Sequence, residues 1–182
     1  MVFNIAFSGK MTAGKSTAAE HVHHLIEDSI VLSFADPIYD IARKYWGMES
    51  KERPLLIFIG ESWRKRDSDI WVKILLRKVK ELNAQGKSVI IDDLRLPAEF
   101  AALSKAGVHL VRLNISPQEQ ARRLKDKYPG TYKEHLKKTQ HETETALDDT
   151  NLNWSNWFAH DLTMHMTEKS IETIINGISK QK

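Results

Sequence analysis

Cysteine is absent from this chain of 182 residues. Without a thiol the protein forms no disulfide, no thiolate nucleophile and no thiolate metal site, so histidine, carboxylate and hydroxyl groups must carry any chemistry. Long apolar runs are also missing: none approaches the ~20 residues that span a bilayer, and the start of the chain does not have the pattern of a secretory signal. We therefore expect a cytoplasmic protein with no membrane partner.

Strong charge of either sign is missing as well. The formal net charge is +3, with 41% hydrophobic and 28% charged residues, which is ordinary for a globular protein. Such a small net charge gives no field typical of a nucleic-acid binder, so any preference for anions must be local. The length favours a single domain over residues 1–182.

A glycine-rich pattern near the start provides such a local preference. Gly9 is followed by four residues and then by Gly14, Lys15 and Ser16, between an apolar run and a segment with helical spacing. Glycines allow backbone N–H groups to approach phosphate oxygens, the lysine supplies a mobile charge, and the serine hydroxyl can ligate Mg²⁺. The pattern predicts a phosphate-binding loop made of Gly9, Lys10, Met11, Thr12, Ala13, Gly14, Lys15, Ser16 and Thr17.

Apolar runs alternate with amphipathic segments along the rest of the chain. The alternation predicts a three-layer α/β domain: a five-stranded parallel sheet with helices on both faces and ligands at the carboxyl ends of the strands. We expect strands at 3–7, 30–33, 88–91, 108–113 and 158–164, and helices at 15–26, 38–46, 53–63, 69–83, 97–106, from 117 onward and 168–179.

Carboxylates follow two of these predicted strands. Asp36 comes after the second strand and just before Pro37, so it lies at the reaction crevice, caps the next helix, or does both. Asp92 and Asp93 follow the third strand, where nucleotide-binding proteins place an acidic residue that holds Mg²⁺. The sequence does not choose between these two aspartates.

Basic side chains form two groups. Residues 64–66 follow Gly60 and Trp63 in an expected connection, where they are either a binding group or a solvated surface. Residues 121–138 carry seven basic and two acidic side chains, which we interpret as a small helical lid over residues 117–140 that closes on phosphates. The acidic residues that follow the lid can pair weakly with it.

Several short motifs, taken in order, resemble the phage and bacterial deoxynucleoside monophosphate kinases, within the wider phosphate-loop nucleoside monophosphate kinase-like superfamily. With the phosphate-binding loop they cover most of the chain. They are Phe34-Ala35-Asp36-Pro37-Ile38, Ile59-Gly60-Glu61-Ser62-Trp63-Arg64, Asp69-Ile70-Trp71-Val72, the run from Val89 to Glu99 that contains Asp92-Asp93-Leu94-Arg95, and the acidic Glu142-Thr143-Glu144-Thr145-Ala146-Leu147-Asp148-Asp149.

The resemblance implies a P-loop kinase fold, ATP and Mg²⁺ as cosubstrates, and an acceptor pocket roofed by helices within residues 37–83. It implies catalytic roles for Lys15, Asp36 and a lid arginine, Arg122 or Arg123. It further implies that Trp63, Arg64 and Arg95 join Asp36 in binding the acceptor, and that Ser16 with Asp92 or Asp93 serves the metal. The family often has Gly-Thr-Glu before the tryptophan, whereas this chain has Gly60-Glu61-Ser62.

The expected function is phosphoryl transfer from ATP to a (deoxy)nucleoside monophosphate, which gives ADP and the diphosphate. The alternatives are another acceptor, such as hydroxymethylated pyrimidine in DNA or a small molecule like phosphomevalonate or dephospho-coenzyme A, and a nucleotide-binding switch. Nucleic acid is a partner only under the first of these alternatives. The oligomeric state, a homodimer included, stays open.

Overall fold

The computed structural model describes residues 2–148, 152–158 and 164–180. Strands and helices alternate as expected. The strands are β1 (Asn4–Ser8), β2 (Ser29–Leu32), β3 (Ser88–Leu94), β4 (His109–Leu113) and β5 (Asn156–Phe158). The helices are α1 (Lys15–Leu25), α2 (Asp36–Trp46), α3 (Arg53–Arg66), α4 (Ile70–Ala84), α5 (Pro97–Lys105), α6 (Pro117–Lys127), α7 (Tyr132–Lys138), α8 (Glu142–Thr145) and α9 (Met164–Lys180).

The strands form one parallel sheet in the order β2-β3-β1-β4-β5. Four strands of four to seven residues make up its body, and an edge strand completes the five parallel strands of the sheet. The fifth is a three-residue strand at the edge. The strand predicted over 158–164 was wrong in position: only Phe158 overlaps, Met164 begins α9, and residues 159–163 lie outside the described part of the chain.

Helices cover both faces of the sheet. Successive side chains of a strand point to opposite faces, so a strand of apolar residues gives both faces an apolar surface that helices bury. Ile5 and Phe7 of β1 pack with α1 and α9 on one face. Ala6, between them, faces the other side, where α4 and α5 contribute Leu75 and Leu103. This is the three-layer α/β arrangement with a parallel sheet, and it brings the carboxyl ends of all strands to one edge.

A third apolar cluster joins α2, α3 and α4 beside the sheet. Trp71 is 2% exposed there, and its indole N–H donates to Gly60 O at 3.1 Å. Gly47 ends α2 with φ +64°, and Met48 N donates back to Ala42 O at 3.2 Å, a left-handed helix termination. These helices stand over the edge of the sheet where β2 ends.

Two elements extend further than their patterns indicated. β3 continues to Leu94, which pairs with Ser8 of β1, so Asp92 and Asp93 belong to the strand itself. α3 continues to Arg66, so the expectation that the basic residues 64–66 lie in a connection was wrong. In the described ranges no helix has both the length and the apolar character to cross a membrane.

Candidate active site

The loop between β1 and α1 has a backbone conformation that depends on its glycines. Gly9 has φ +152° and Gly14 φ +99°, values that L side chains rarely adopt. A Cβ at Gly9 would lie 2.4 Å from Leu113 O, so only glycine fits between this loop and β4. At the end of the phosphate-binding loop, Ser16 and Thr17 are exposed on the first turn of α1, where a helix attracts anions.

Lys15 is buried within this loop, at 8% exposure. Its Nζ donates to Gly9 O at 2.7 Å and to Lys10 O at 3.1 Å. Burial, followed by the nearby positive charge of Arg95, lowers the pKa of Lys15 to about 8. The loop therefore holds an ammonium group that lacks a full counter-charge, which is the electrostatic setting for a phosphate.

Asp92 and Asp93 point to different partners. Ser16 Oγ donates to Asp92 Oδ2 at 3.0 Å, which joins β3 to the phosphate-binding loop. Asp93 instead accepts from Ser33 Oγ at 2.5 Å and from Phe34 N at 2.9 Å, and burial raises its pKa. Asp93 thus ties β3 to the segment after β2, while Asp92 faces the loop.

Asp36 lies at the end of β2, in the first turn of α2. Ala35 holds the N-cap position, no side chain caps the helix, and Asp36 Oδ2 accepts from Ser33 N at 2.7 Å. Burial raises the pKa of Asp36, and the charges of Asp40 and Asp92 raise it further, against the Ser33 hydrogen bond. Asp36 also lines a cleft of about 650 Å³. The other residues lining this cleft are Leu32, Ser33, Pro37, Tyr39, Asp40, Arg43, Ile74, Leu75 and Lys78.

The last turns of α3 carry two of the predicted acceptor residues. Trp63 is 42% exposed and stacks on buried Trp71, with ring centroids 5.4 Å apart. Arg64 is exposed on the same turn of the helix, and its Nη1 lies near Gly60, one turn earlier. Trp63 therefore has a packed face and an open face, and Arg64 carries an exposed positive charge beside it.

Arg95 follows β3 and is fixed at both ends. Its backbone N–H and that of Leu96 donate to Glu99 Oε2 at 2.9 Å each, so the carboxylate of Glu99 caps the start of α5. Its guanidinium pairs with Glu144, which belongs to the acidic segment, residues 142–148. Arg95 is thereby held at the strand end beside the phosphate-binding loop.

The acidic segment contacts the phosphate-binding loop twice. Met11 N donates to Glu144 Oε2 at 2.5 Å. Asp148 pairs with Lys10 Nζ at 2.9 Å and with the Arg112 guanidinium at 2.5 Å. The expectation that these carboxylates pair with the lid was therefore wrong for Glu144 and Asp148, because both bind the loop and strand-end arginines instead.

Arg112 was missed by sequence reasoning. It lies on β4, is 4% exposed, and its Nη1 donates to Ser8 Oγ at 2.9 Å. Its guanidinium also lies over the Trp154 ring, 5.8 Å from the centroid. Burial lowers the pKa of Arg112, and Asp148 raises it. The available signal was an arginine inside an otherwise apolar strand, which requires a buried partner.

The helix α6, the first part of the predicted lid, docks on the same loop. Gln120 Nε2 donates to Met11 O at 2.9 Å, and Arg123 Nη1 donates to Thr12 O at 3.0 Å. Ser116 Oγ accepts from Glu119 N at 3.2 Å and starts the helix as its motif predicts. Gln120 is a second contact residue that the sequence did not indicate.

Arg122 and Arg123 are adjacent but differ in surroundings. The side chain of Arg122 is 62% exposed and bonds along its own helix to Glu119 and Asp126. Arg123 Nε also bonds to Glu119, at 2.7 Å, but its Nη1 reaches the loop. Of the two predicted lid arginines, the structure brings Arg123 to the phosphate-binding loop and leaves Arg122 on the helix surface.

Comparison with known proteins places this chain in a family. Residues 5–161 match the AAA domain family. The uncharacterized protein ORF77 of Ictalurid herpesvirus 1 (strain Auburn) is 30% identical over 155 residues; the match covers 80% of this chain, and the chain spans 59% of that relative's length.

Solved structures share the fold at low identity. TT1252 from Thermus thermophilus has a TM-score of 0.60 at 12% identity, with 97% of each chain covered. A gluconokinase from Sinorhizobium meliloti 1021 has a TM-score of 0.53 at 16% identity, covering 99% of this chain and 97% of its own. Shikimate kinase from Acinetobacter baumannii, in complex with shikimate, has a TM-score of 0.53 at 16% identity, covering 100% and 96%. The chain therefore shares the fold of these three proteins.

Proposed function

The chain belongs to the AAA domain family, and from this premise we propose that it transfers the γ-phosphoryl group of ATP to a deoxynucleoside monophosphate. The observation that supports it best is the bond between Ser16 Oγ and Asp92 Oδ2 at the mouth of the phosphate-binding loop. It joins the loop that would bind the donor to the strand end that faces the acceptor side. Phosphoryl transfer needs this kind of positioning and charge more than covalent help from the protein.

The donor half of the site consists of the phosphate-binding loop with Lys15 and Ser16. Lys15 would bind the β- and γ-phosphates, because its buried ammonium group has no full counter-charge in the free protein. Ser16 and Asp92 present oxygen atoms 3.0 Å apart, which suits Mg²⁺, since this ion takes one or two protein oxygens together with phosphates and waters. Bound there, the ion would supply positive charge to the phosphates. We assign this role to Asp92 and not to Asp93, because the oxygens of Asp93 already accept from Ser33 Oγ and Phe34 N on the side away from the loop.

The acceptor half would extend from Asp36 to Arg95. Arg95 and Arg64 supply positive charge for the acceptor's phosphate, and the open face of Trp63 suits a base. A monophosphate attacks through an oxygen that is already ionised near neutral pH, so it needs no base. A hydroxyl acceptor does need one, and Asp36, which lines the cleft together with Asp40, is the carboxylate that we propose for this role.

This difference gives Asp36 diagnostic value. Gluconokinase and shikimate kinase, by their names, serve acceptors without a nucleoside, so a hydroxyl acceptor is the second candidate. With a nucleotide acceptor, Asp36→Asn should raise KM and leave kcat largely unchanged. With a hydroxyl acceptor the same change should reduce kcat by about 10²-fold or more, since general-base catalysis contributes that much.

The function is tested with a panel of acceptors, ATP and Mg²⁺, with ADP formation and the phosphorylated product both measured. The panel contains the deoxynucleoside and ribonucleoside monophosphates, shikimate, gluconate, phosphomevalonate, dephospho-coenzyme A, and duplex DNA with hydroxymethylated pyrimidines. We expect turnover of at least one deoxynucleoside monophosphate and none with Lys15→Ala, whose far-ultraviolet circular dichroism should match the wild type. Turnover only of another acceptor, or ATP hydrolysis without transfer, would contradict the proposal.

A further inference from the structure

Two carboxylates of the acidic segment each join the phosphate-binding loop to an arginine at a strand end. Glu144 accepts from Met11 N at 2.5 Å and pairs with Arg95. Asp148, four residues later and beyond the end of α8, pairs with Lys10 at 2.9 Å and with the arginine of β4 at 2.5 Å. We call Glu144 and Asp148 the carboxylate clamp.

Apolar packing fixes the clamp to the domain. Leu147, between the two carboxylates, is 1% exposed and belongs to the cluster that contains Phe100 on α5. Leu152 and Trp154 pack against the same cluster, and the Trp154 ring lies edge-on to Phe100 with centroids 4.7 Å apart. The clamp is thus held by the core, and not by ionic attraction alone. The alternative is that these carboxylates only fill the phosphate position in the free protein and leave when a nucleotide binds. An anchor in the core argues against this alternative.

The contact with Glu144 leaves Arg95 able to bind a ligand. The Glu144 side chain is 4% exposed, whereas that of Arg95 is 35% exposed. Only Nη1 of Arg95 contacts Glu144 in the described bonds, and a guanidinium has five N–H donors in a fixed plane. Because the guanidinium is planar and rigid, a bond from Glu144 to one edge of the plane fixes the direction of the other donors.

We infer that Glu144 and Asp148 are positioning residues, which hold Arg95 and Arg112 in register with the phosphate-binding loop before any phosphate arrives. The part of this inference that concerns an acceptor phosphate rests on the proposed function. The part that concerns the geometry of the loop and the arginines does not, so the two can fail separately.

The geometric part is tested on the full chain without ligand, by nuclear magnetic resonance of backbone amides and arginine Nε–H groups. In Glu144→Gln we expect the Met11 amide and the Arg95 Nε–H signals to shift most, because the amide loses a charged acceptor and the guanidinium its counter-ion. Glu81→Gln is the matched control, since Glu81 is exposed and pairs with Lys78. Unchanged Met11 and Arg95 signals in Glu144→Gln would overturn the inference.

The functional part is tested with a double-mutant cycle of Glu144→Gln and Arg95→Ala, measured as kcat/KM for the acceptor and as the Kd of a non-hydrolysable ATP analogue. A residue that acts through Arg95 should add nothing once Arg95 is gone. We expect Glu144→Gln to lower kcat/KM by about 10- to 100-fold, as misplacement of a binding group does, and the double variant to equal Arg95→Ala. Additive losses, or tighter binding of the analogue to Glu144→Gln, would overturn the inference; the latter would identify Glu144 as a competitor of phosphate.

If Glu144→Gln does not fold, Asp148→Asn makes the same test through Arg112, with the Lys10 amide and the Arg112 Nε–H as reporters. Absence of any acceptor turnover by the wild type would contradict the proposed function alone. In that case the resonance shifts and the analogue Kd still decide whether the clamp positions its arginines.

Discussion

Lys15 carries its charge at a buried site that opposes that charge, and a bound phosphate would offset this effect. Burial and Arg95 lower its pKa to about 8, and the phosphates of ATP would raise it again by their negative charge. At pH 8 Lys15 is half protonated in the free protein, so we expect binding of a magnesium-loaded, non-hydrolysable ATP analogue to take up about half a proton. At pH 6 the side chain is already protonated, and the uptake should disappear.

Proton uptake on binding is measured by calorimetry in buffers with different heats of ionisation. Lys15→Arg is the control, because arginine stays protonated at both pH values. Equal uptake at pH 6 and pH 8, or uptake that persists in Lys15→Arg, would show that Lys15 does not change its protonation when phosphate binds.

Asp92 and Asp93 allow a matched comparison between adjacent residues of one strand. Asp93→Ala leaves Ser33 Oγ and Phe34 N without their acceptor, so we expect a loss of about 1–3 kcal/mol in the free energy of unfolding. Asp92→Ala removes a single bond from Ser16, and it should leave stability nearly unchanged while raising the Mg²⁺ concentration needed for turnover. Denaturant titration and magnesium titration of both variants separate the two roles. The reverse assignment would follow if Asp93→Ala kept its stability and needed a higher Mg²⁺ concentration for turnover.

The helix α6 is expected to act through the one arginine that reaches the loop. Arg123→Ala removes the bond to Thr12 O and should lower kcat/KM by about tenfold, as expected for loss of a charge-assisted hydrogen bond. Arg122→Ala removes pairs on an exposed helix surface, which are worth at most about 0.5 kcal/mol each. Equal losses of kcat/KM in the two variants would mean that α6 moves far enough on closure to bring both arginines to the phosphates.

Elements whose signals are local could be predicted from the sequence. The glycine spacing at residues 9–16 places the loop because its backbone requirement lies within the motif itself. The ends of β3 and α3 could not be predicted in the same way. β3 gains its last residues by pairing Leu94 with Ser8, a partner distant in the chain. The last turns of α3 pack on another helix through the stacking of Trp63 on Trp71, a contact that the local pattern does not report.

The complete molecule adds a part of the site that no single motif contains. Four parts of this site lie far apart in sequence: the phosphate-binding loop, Arg95, Arg112 and the acidic segment. They meet only when β3, β1 and β4 pair in the sheet. The sequence showed the acidic residues but not their partners, because pairing of charges depends on tertiary packing that no local pattern reports. The different partners of Asp92 and Asp93 could likewise not be predicted, because they depend on how β3 pairs with its neighbouring strands.

The proposal that this protein is a nucleotide-phosphorylating kinase is tested most directly by following the γ-phosphoryl group itself. The full chain is mixed with Mg²⁺, γ-labelled ATP and each deoxynucleoside monophosphate, and the labelled species are separated. We expect the label to appear in a deoxynucleoside diphosphate with the wild type and to remain in ATP with Lys15→Ala. Label found only in inorganic phosphate, or remaining in ATP with every deoxynucleoside monophosphate, would contradict the proposed function.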